Sequence, residues 1–160
     1  MSTISIRPAG LVDLEALSVL FDGYRQFYGR DSDLAAGRQF LSDRLHHAES
    51  VIFMALDGNI PVGFTQLYPS FSSVSLGRIF ILNDLFVNEA GRRKGAGSAL
   101  LSAAVDHAQG AGAIRLALST ALTNTTAQAL YESKGWERDD DFFLHLPDSL
   151  AGRRAWHGIN

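Results

Sequence analysis

A glycine-containing loop joins an apolar strand to a helix near the middle of this chain. The residues Arg-Arg-Lys-Gly-Ala-Gly-Ser occupy positions 92–98, after an apolar run from Ile79 to Val87 and before a helical pattern. Glycines at 95 and 97 permit a tight turn because no Cβ stands in the way. The following helix presents unpaired N–H groups and its positive dipole end to an anion. The loop therefore predicts a phosphate site, which the three cations before Gly95 would help to attract.

Two common phosphate loops do not match this stretch. A P-loop has a different glycine spacing, and the dinucleotide-binding fingerprint has a third glycine where this chain has Leu100. Taken alone, the stretch is equally consistent with an ordinary glycine turn flanked by solvated cations. Arg93 and Lys94 in particular can be read as surface charge.

A second motif follows the next strand. The segment from Asn124 to Trp136 reads as a short helix, which a side chain at 124, 125 or 126 can cap and which Gly135 can end. Arg-x-x-Gly-x-Gly after a strand, followed by Asn-x-x-Ala-x-x-x-Tyr-x-x-x-Gly-Trp, resembles the GNAT superfamily of acyl-CoA-dependent N-acyltransferases. The resemblance extends over nearly the whole chain and implies an acetyl-CoA-dependent N-acetyltransferase.

Length and composition agree with one domain over residues 1–160, with the tail 147–160 the least defined part. A chain of 160 residues with 46% hydrophobic and 19% charged residues is ordinary for a globular protein. A net charge of −3 argues against a nucleic-acid partner. No apolar run approaches the roughly 20 residues that cross a bilayer, and no signal peptide is recognisable, so we expect no membrane partner and a cytoplasmic location.

The chain contains no cysteine, which excludes a disulfide scaffold, a thiolate metal site and an acyl-cysteine intermediate. Acyl transfer is therefore expected to run directly from thioester to acceptor. The five histidines are scattered, and the adjacent His46 and His47 point about 100° apart on a helix. We expect no metal.

Hydrophobic periodicity predicts alternating strands and helices. Strands are expected over 3–8, 51–56, 61–68, 79–87, 113–119 and 141–145, with a polar loop over 70–75, and helices over 11–28, 33–47, 96–109 and 124–134. This order predicts an α/β (α+β) fold, a mixed sheet with helices on both faces. The GNAT resemblance makes the sheet mostly antiparallel, with one parallel strand pair that splays apart to form a cleft for the pantetheine arm.

The resemblance also assigns residues to the cosubstrate. Main-chain groups of the loop are expected to hold the CoA pyrophosphate. Main-chain groups at the end of the preceding strand are expected to bind the pantetheine amides. Asn124 is expected to contact the pantetheine arm, although it is equally suited to capping a helix. The residues of the loop and strand are Arg92, Arg93, Lys94, Gly95, Ala96, Gly97, Ser98, Leu85, Phe86 and Val87.

Tyr131 is the candidate general acid. It follows Asn124 by seven residues, which is two helical turns along nearly the same face. A phenol with a pKa of about 10 can protonate a thiolate whose conjugate acid lies near 8.5. It is expected to contact the cosubstrate as well. The alternative role is an aromatic that packs its helix onto the sheet.

Asp84 interrupts an otherwise apolar strand. A carboxylate there can attract an ammonium substrate and take its proton, directly or through water; alternatively it pairs with Arg78 or another cation. The run Asn-Asp-Leu-Phe-Val from 83 to 87 is similar to that of polyamine acetyltransferases, in which the residue before the aspartate is often glutamate. Here that residue is Asn83, which leaves the base and the polyamine assignment open.

The acceptor pocket is expected near the end of the first helix. Tyr24, Tyr28 and Asp31, together with Asn83 and Asp84, offer aromatic faces and carboxylates suited to an amine cation. Aromatic residues at helical spacing equally fit a packed core. The acidic run 139–141 reads as a solvated turn.

The leading interpretation is acetyl transfer to a primary amine of a small, polyamine-like or amino-acid-like acceptor. Two alternatives remain: a protein lysine or N-terminal acceptor, and a noncatalytic CoA-binding sensor. A homodimer is expected by analogy with family members, through apolar residues Phe142, Phe143 and Trp156.

Overall fold

A computed structural model describes residues 3–142, 144–145 and 147. They divide into two compact units, one that ends at Leu118 and one that begins at Ser119. The first unit contains strands β1 Ile4–Pro8, β2 Val51–Asp57, β3 Ile60–Ser72, β4 Gly77–Val87 and β5 Arg115–Leu118, and helices α1 Leu14–Phe27, α2 Leu34–His46 and α3 Ala96–Gly110. The second contains helix α4 Thr125–Ser133.

The five strands form one mixed sheet in the order β1-β2-β3-β4-β5. Neighbouring strands are antiparallel except β4 and β5, which are parallel. Antiparallel neighbours can be joined by tight turns, whereas the parallel pair needs the crossover that α3 supplies. The predicted α/β fold with a mostly antiparallel sheet and one parallel pair is confirmed.

Helices cover both faces of the sheet. Because successive strand residues point to opposite faces, Ile52 and Met54 join the core beneath α1 and α2, while Phe53 contacts His107 of α3 with ring centroids 5.6 Å apart. The apolar residues of α1 recur every three or four positions, so they form one buried face. The members of that core are Leu14, Leu17, Leu20, Phe21, Leu41, Ile52, Met54 and Phe64.

Strand β4 changes its strand pairing at Asn83. Its pairing with β5 extends from Ile79 to Leu82, and within the described part of the chain residues 83–87 pair with β3 alone. On the β3 side, Gln66 pairs with Asp84 and Leu67 with Leu82, which makes Asn83 an extra, bulged residue. A bulge bends its strand and re-aims the adjacent side chains. Among the described strands, none pairs with the β5 side of β4 beyond Leu82.

Two expected boundaries move in the first unit. The polar loop predicted over 70–75 is confined to the turn at 73–76, because β3 continues to Ser72 and pairs with β4. Arg78 lies 4.7 Å from the ring of its cross-strand partner Phe71. The first helix begins with a 3₁₀ turn, Leu11–Asp13, and becomes α-helical at Leu14. Asp13 accepts a hydrogen bond from the Gly10 N–H and pairs with Arg7 at 2.7 Å, which holds this turn against β1.

The strand predicted over 141–145 is not formed at its described residues. The backbone N–H of Asp141 donates to the Asp139 side chain at 2.9 Å, and Arg138 pairs with Asp140 at 2.8 Å, so local contacts bend the chain. Such side-chain-to-backbone bonds compete with strand ladders. Phe142 is 82% exposed. Phe143 and Trp156, also named for a dimer contact, lie outside the described residues, and the dimer stays a prediction.

Among the described residues, no helix has the length and apolar character needed to cross a membrane.

Candidate active site

The loop before α3 has the backbone of an anion cradle. Gly95 is the N-cap of α3 with φ of 81°, and Arg93 also has a positive φ of 63°. The helix begins at Ala96, so the N–H groups of Ala96, Gly97 and Ser98 have no carbonyl one turn earlier to bond. These three donors and the positive end of the helix dipole are what a phosphate needs. Gly97 lies inside the first helical turn rather than at the tight turn itself.

Two of the three cations of the loop have carboxylate partners. Arg92 pairs with Glu89 at 2.9 Å and also donates to the Val87 carbonyl at 3.3 Å. Lys94 pairs with Asp57 at the end of β2 at 2.6 Å, and this contact holds the pKa of Asp57 below its usual range, helped by the Thr3 hydroxyl. These contacts tie the loop to the sheet on either side of Arg93.

The two glycines are expected to respond oppositely to alanine. Gly95→Ala should lower the free energy of unfolding by about 1–2 kcal/mol, because a Cβ is disfavoured at positive φ. Gly97→Ala should raise it by up to about 1 kcal/mol, since alanine favours the helix and its Cβ would meet no atom closer than Val87 Cγ2 at 4.0 Å. Urea unfolding of both variants checks this; equal effects would contradict the backbone described for Gly95.

A buried polar cluster lies at the end of β4. Asp84 is 2% exposed, and its carboxylate accepts hydrogen bonds from Gln66 Nε2 at 2.5 Å and from Asn83 Nδ2 at 2.7 Å. The Thr65 hydroxyl donates to the Asp84 main-chain oxygen at 2.8 Å. The alternative pairing of Asp84 with Arg78 is not formed, because Arg78 lies over Phe71 and Phe80. Asp84 is thus a buried carboxyl held by neutral donors.

Burial dominates the electrostatics of this cluster. It raises the pKa of Asp84 above the usual aspartate range, although hydrogen bonds from Asn83, Gln66 and Tyr24 act in the opposite direction. The pKa values of Tyr24 and Tyr68 are raised too, first by burial and then by the charge of Asp84. Both phenols therefore keep their protons across the physiological range.

Asp84→Asn is expected to stabilise the protein increasingly as pH rises. The folded-state pKa of Asp84 is raised, so wild-type protein loses stability as pH climbs from the unfolded value of about 3.9 through the folded value. Asparagine keeps the shape and removes this loss. The measurement is the difference in unfolding free energy between variant and wild type, from pH 3 to 8.

Asp13→Asn is the matched control, and its pH dependence has the opposite sign. The hydrogen-bonded Arg7 guanidinium holds the pKa of Asp13 below its usual range, so its stabilisation is present at neutral pH and is lost as pH falls. A flat difference curve for Asp84→Asn would show that the Asp84 carboxyl titrates normally.

Helix α1 brings two of the predicted aromatic residues to this cluster. Gly23 lets the helix approach Phe86, since a Cβ there would lie 3.3 Å from that ring. The Tyr24 hydroxyl then donates to the Asn83 carbonyl at 3.4 Å, and its ring contacts Tyr28 at 5.1 Å. Asp31 lies exposed between α1 and α2. The structure thus groups Tyr24, Tyr28, Asn83 and Asp84, with Asp31 outside the hydrogen-bonded cluster.

Helix α4, in the second unit, carries Asn124 and Tyr131. The Asn124 side chain accepts from the Ala127 N–H at 3.1 Å, which makes it the N-cap that the sequence allowed. Gly135, with φ of 87°, follows the helix end as predicted. Tyr131 is 4% exposed, its ring lies 6.3 Å from Trp136, and burial raises its pKa to about 12.

The Acetyltransferase (GNAT) family model matches residues 15–136, which is most of the chain. The chain belongs to this family. It is 50% identical over 139 residues to the uncharacterized N-acetyltransferase YhfO of Bacillus subtilis, an alignment that covers 87% of this chain and 93% of that protein. A crystal structure of a probable acetyltransferase superposes with a TM-score of 0.84 at 44% identity, covering 89% of this chain and 97% of that one. A probable acetyltransferase of Haemophilus influenzae is 38% identical over 95 residues, 59% of this chain and 65% of that protein.

The GNAT resemblance and the N-acetyltransferase class predicted from the two motifs are thereby confirmed. Two residues beside the predicted site were not singled out by sequence: Gln66, which bonds Asp84, and Asp57, the partner of Lys94. The sequence feature that could have indicated Gln66 is its position as a polar residue inside the apolar run 61–68. Among the described residues, no group of three or more His, Asp or Glu side chains is arranged to hold a metal.

Proposed function

We propose that this GNAT protein transfers the acetyl group of acetyl-CoA directly to a primary amine of a small cationic acceptor. The observation that carries the proposal is the end of β4, where an open strand edge and a buried carboxyl immediately precede the glycine loop. A cosubstrate with a phosphate end and an amide-bearing arm matches a helix N-terminus that follows an unpaired strand edge.

The residues of the loop fit the phosphate end of CoA. The N–H groups of Ala96, Gly97 and Ser98 would hold the pyrophosphate, and open space around Gly97 leaves room for it, since a Cβ there would have one neighbour, at 4.0 Å. The open β4 edge from Leu85 to Val87 would hold the pantetheine amides. Asn124 joins this assignment from the family motif. When bound, acetyl-CoA supplies an activated acetyl thioester.

The acceptor must become a neutral amine before it can attack. Asp84 is the base of this proposal, and its negative charge also favours a cationic acceptor. Because only 2% of Asp84 is exposed, the proton has to reach it through a neighbour. The Tyr24 hydroxyl donates to the neighbouring Asn83 carbonyl at 3.4 Å and is only partly buried. On turning from that carbonyl to the Asp84 carboxylate, it can accept the amine proton while it passes its own to Asp84.

Tyr131 is the acid of this proposal, assigned through the family motif. Its raised pKa of about 12 keeps the phenol protonated and able to donate throughout the physiological range. The rising limb of a pH–rate profile should therefore report the pKa values of Asp84 and of the acceptor amine. Loss of the Tyr131 hydroxyl should lower the maximal rate and leave the shape of the profile unchanged.

The test combines an activity panel with a binding measurement. Acetyl-CoA consumption, read as free thiol release, is measured with polyamines, amino acids, aminoglycosides and lysine peptides, and CoA is titrated calorimetrically. We expect saturable CoA binding and turnover with one class of small amine. Turnover with peptides alone would favour the protein acceptor, binding without turnover would favour the sensor, and no binding would refute the proposal.

Asp84→Asn provides the matched variant for this assay. It should keep the CoA affinity of the wild type, because Asp84 is assigned to the acceptor side, and lose at least about tenfold in kcat/KM. A wild-type kcat/KM in this variant would remove Asp84 from the role of base.

A further inference from the structure

Gln66 stands out among the buried polar side chains of the first unit. It is fully buried in β3, its Nε2 donates to Asp84, and its Oε1 is buried with no hydrogen-bond partner in the described part of the protein. The amide is therefore held at one end only. A half-turn would bring Oε1 to the group that Nε2 now faces and place Nε2 where Oε1 now lies, so Oε1 can gain a donor while one hydrogen bond is broken.

Asp84 itself can be that donor. Its carboxyl lies within hydrogen-bond distance of the Gln66 amide. The two ends of a glutamine amide have the same shape, so a half-turn of the amide exchanges Nε2 for Oε1 without repacking. A protonated Asp84 would then donate to Oε1 across the same contact.

We propose that Gln66 is a positioning residue for Asp84, which holds the carboxylate through Nε2 and, after rotation of its amide, the carboxylic acid through Oε1. This inference rests on the proposed role of Asp84 as base. The acceptor N–H bond breaks, the Tyr24 hydroxyl takes that proton and passes its own to Asp84, and the carboxyl O–H formed on Asp84 donates to Gln66 Oε1. Asp84 therefore takes up and releases the proton without losing its partner.

Other groups around Asp84 do not provide this exchange. Asn83 donates to the second carboxylate oxygen from the same strand, and Tyr24 reaches Asp84 from α1. Tyr68 on β3 senses the charge of Asp84 and, more weakly, that of Arg44 on α2. Asn83 has an amide with the same two ends but is only partly buried, whereas Gln66 is fully buried and its Oε1 has no partner among the described residues.

The test measures Asp84 directly, so it does not depend on acetyl transfer. The protein is labelled with carboxyl-¹³C aspartate, the Asp84 resonance is assigned by its loss in Asp84→Asn, and its titration is followed by NMR. Gln66→Met keeps the size of the side chain and removes both polar ends. Because a charge-assisted bond is about twice as strong as a neutral one, the carboxylate loses more than the acid. The pKa of Asp84 should rise by about one unit, and any pH limb of kcat/KM should move with it.

Thr65→Val is the matched control. Thr65 is equally buried in the same strand, and it contacts the main-chain oxygen of Asp84 rather than its carboxylate. It should lower stability and leave the titration of Asp84 in place. A Gln66→Met titration that matches wild type, or shifts no more than in Thr65→Val, would overturn the proposal.

Gln66→Glu gives a second variant if Gln66→Met does not fold. Two adjacent carboxyls share one proton, so the pair should bind one proton at pH values where the wild type has released it. Two independent, unshifted titrations would overturn the proposal. The Asp84 titration also separates the two hypotheses: a pKa of Asp84 that rises in Gln66→Met, in a protein without turnover, would retain the pair and reject only the proposed function.

Discussion

Replacing Tyr131 with phenylalanine is expected to lower kcat about 10²- to 10⁴-fold, the range for loss of a general acid, and to leave CoA affinity unchanged. The substitution removes one hydroxyl and keeps the ring beside Trp136, so the packing of α4 should persist. The measurement is steady-state kinetics over pH 6–9 together with calorimetric titration of CoA.

Two further comparisons distinguish an acid role of Tyr131 from a packing role. Because the pKa of Tyr131 is about 12, the wild-type and variant pH profiles should differ in height and share their limbs between pH 6 and 9. Trp136→Phe perturbs the same aromatic contact and keeps the hydroxyl, so its loss of kcat should stay far below that of Tyr131→Phe. Equal losses in both variants would assign Tyr131 to packing, the alternative that the sequence left open.

Gly97→Asp is expected to weaken CoA binding about 10²-fold while the fold remains as stable as wild type or slightly more so. A carboxylate in the first turn of α3 is favourable to the helix dipole by about 0.3–1 kcal/mol. The same charge would stand where the pyrophosphate binds, and two like charges a few ångströms apart repel by roughly 1–4 kcal/mol. Stability and affinity should thus move in opposite directions.

Controls for size and net charge accompany this variant. Gly97→Asn has the same shape without the charge, and Ser102→Asp adds the same charge at an exposed position further along α3. We expect the loss of affinity to be largest in Gly97→Asp, smaller in Gly97→Asn and near zero in Ser102→Asp, and to shrink with added salt for the charge component. Equal affinity in all three variants would place the pyrophosphate elsewhere.

The local sequence pattern was sufficient to predict the strand and the helix on either side of the glycine loop. The apolar run before position 87 and the three-and-four spacing in α3 appeared as expected, with Gly95 in the left-handed conformation between them. Such features depend on residues within a few positions of each other. The strand expected over 141–145 is not formed at its described residues, because Asp139 and Asp141 form a local turn that a period-2 pattern does not reveal.

The sequence pattern could not predict which residues contact the predicted site residues. Gln66 and Asp84 are separated by 18 positions and Lys94 and Asp57 by 37, and each pair meets only because the strands are aligned in one register. A shift of one residue moves a strand's side chains to the opposite face. The bulge at Asn83 decides which β3 residue faces Asp84, and no local signal specifies it.

The sequence by itself determined the family, the fold class and the order of loop, strand and α4 motif, since these follow from short spacings and local conformational preferences. Only the tertiary structure decided that Asp84 is buried among neutral donors rather than paired with Arg78, and that Gln66 has an unpaired oxygen beside it. The physical reason is that burial and pairing are long-range properties: the pKa of a carboxyl depends on which distant groups the sheet register brings within hydrogen-bond distance.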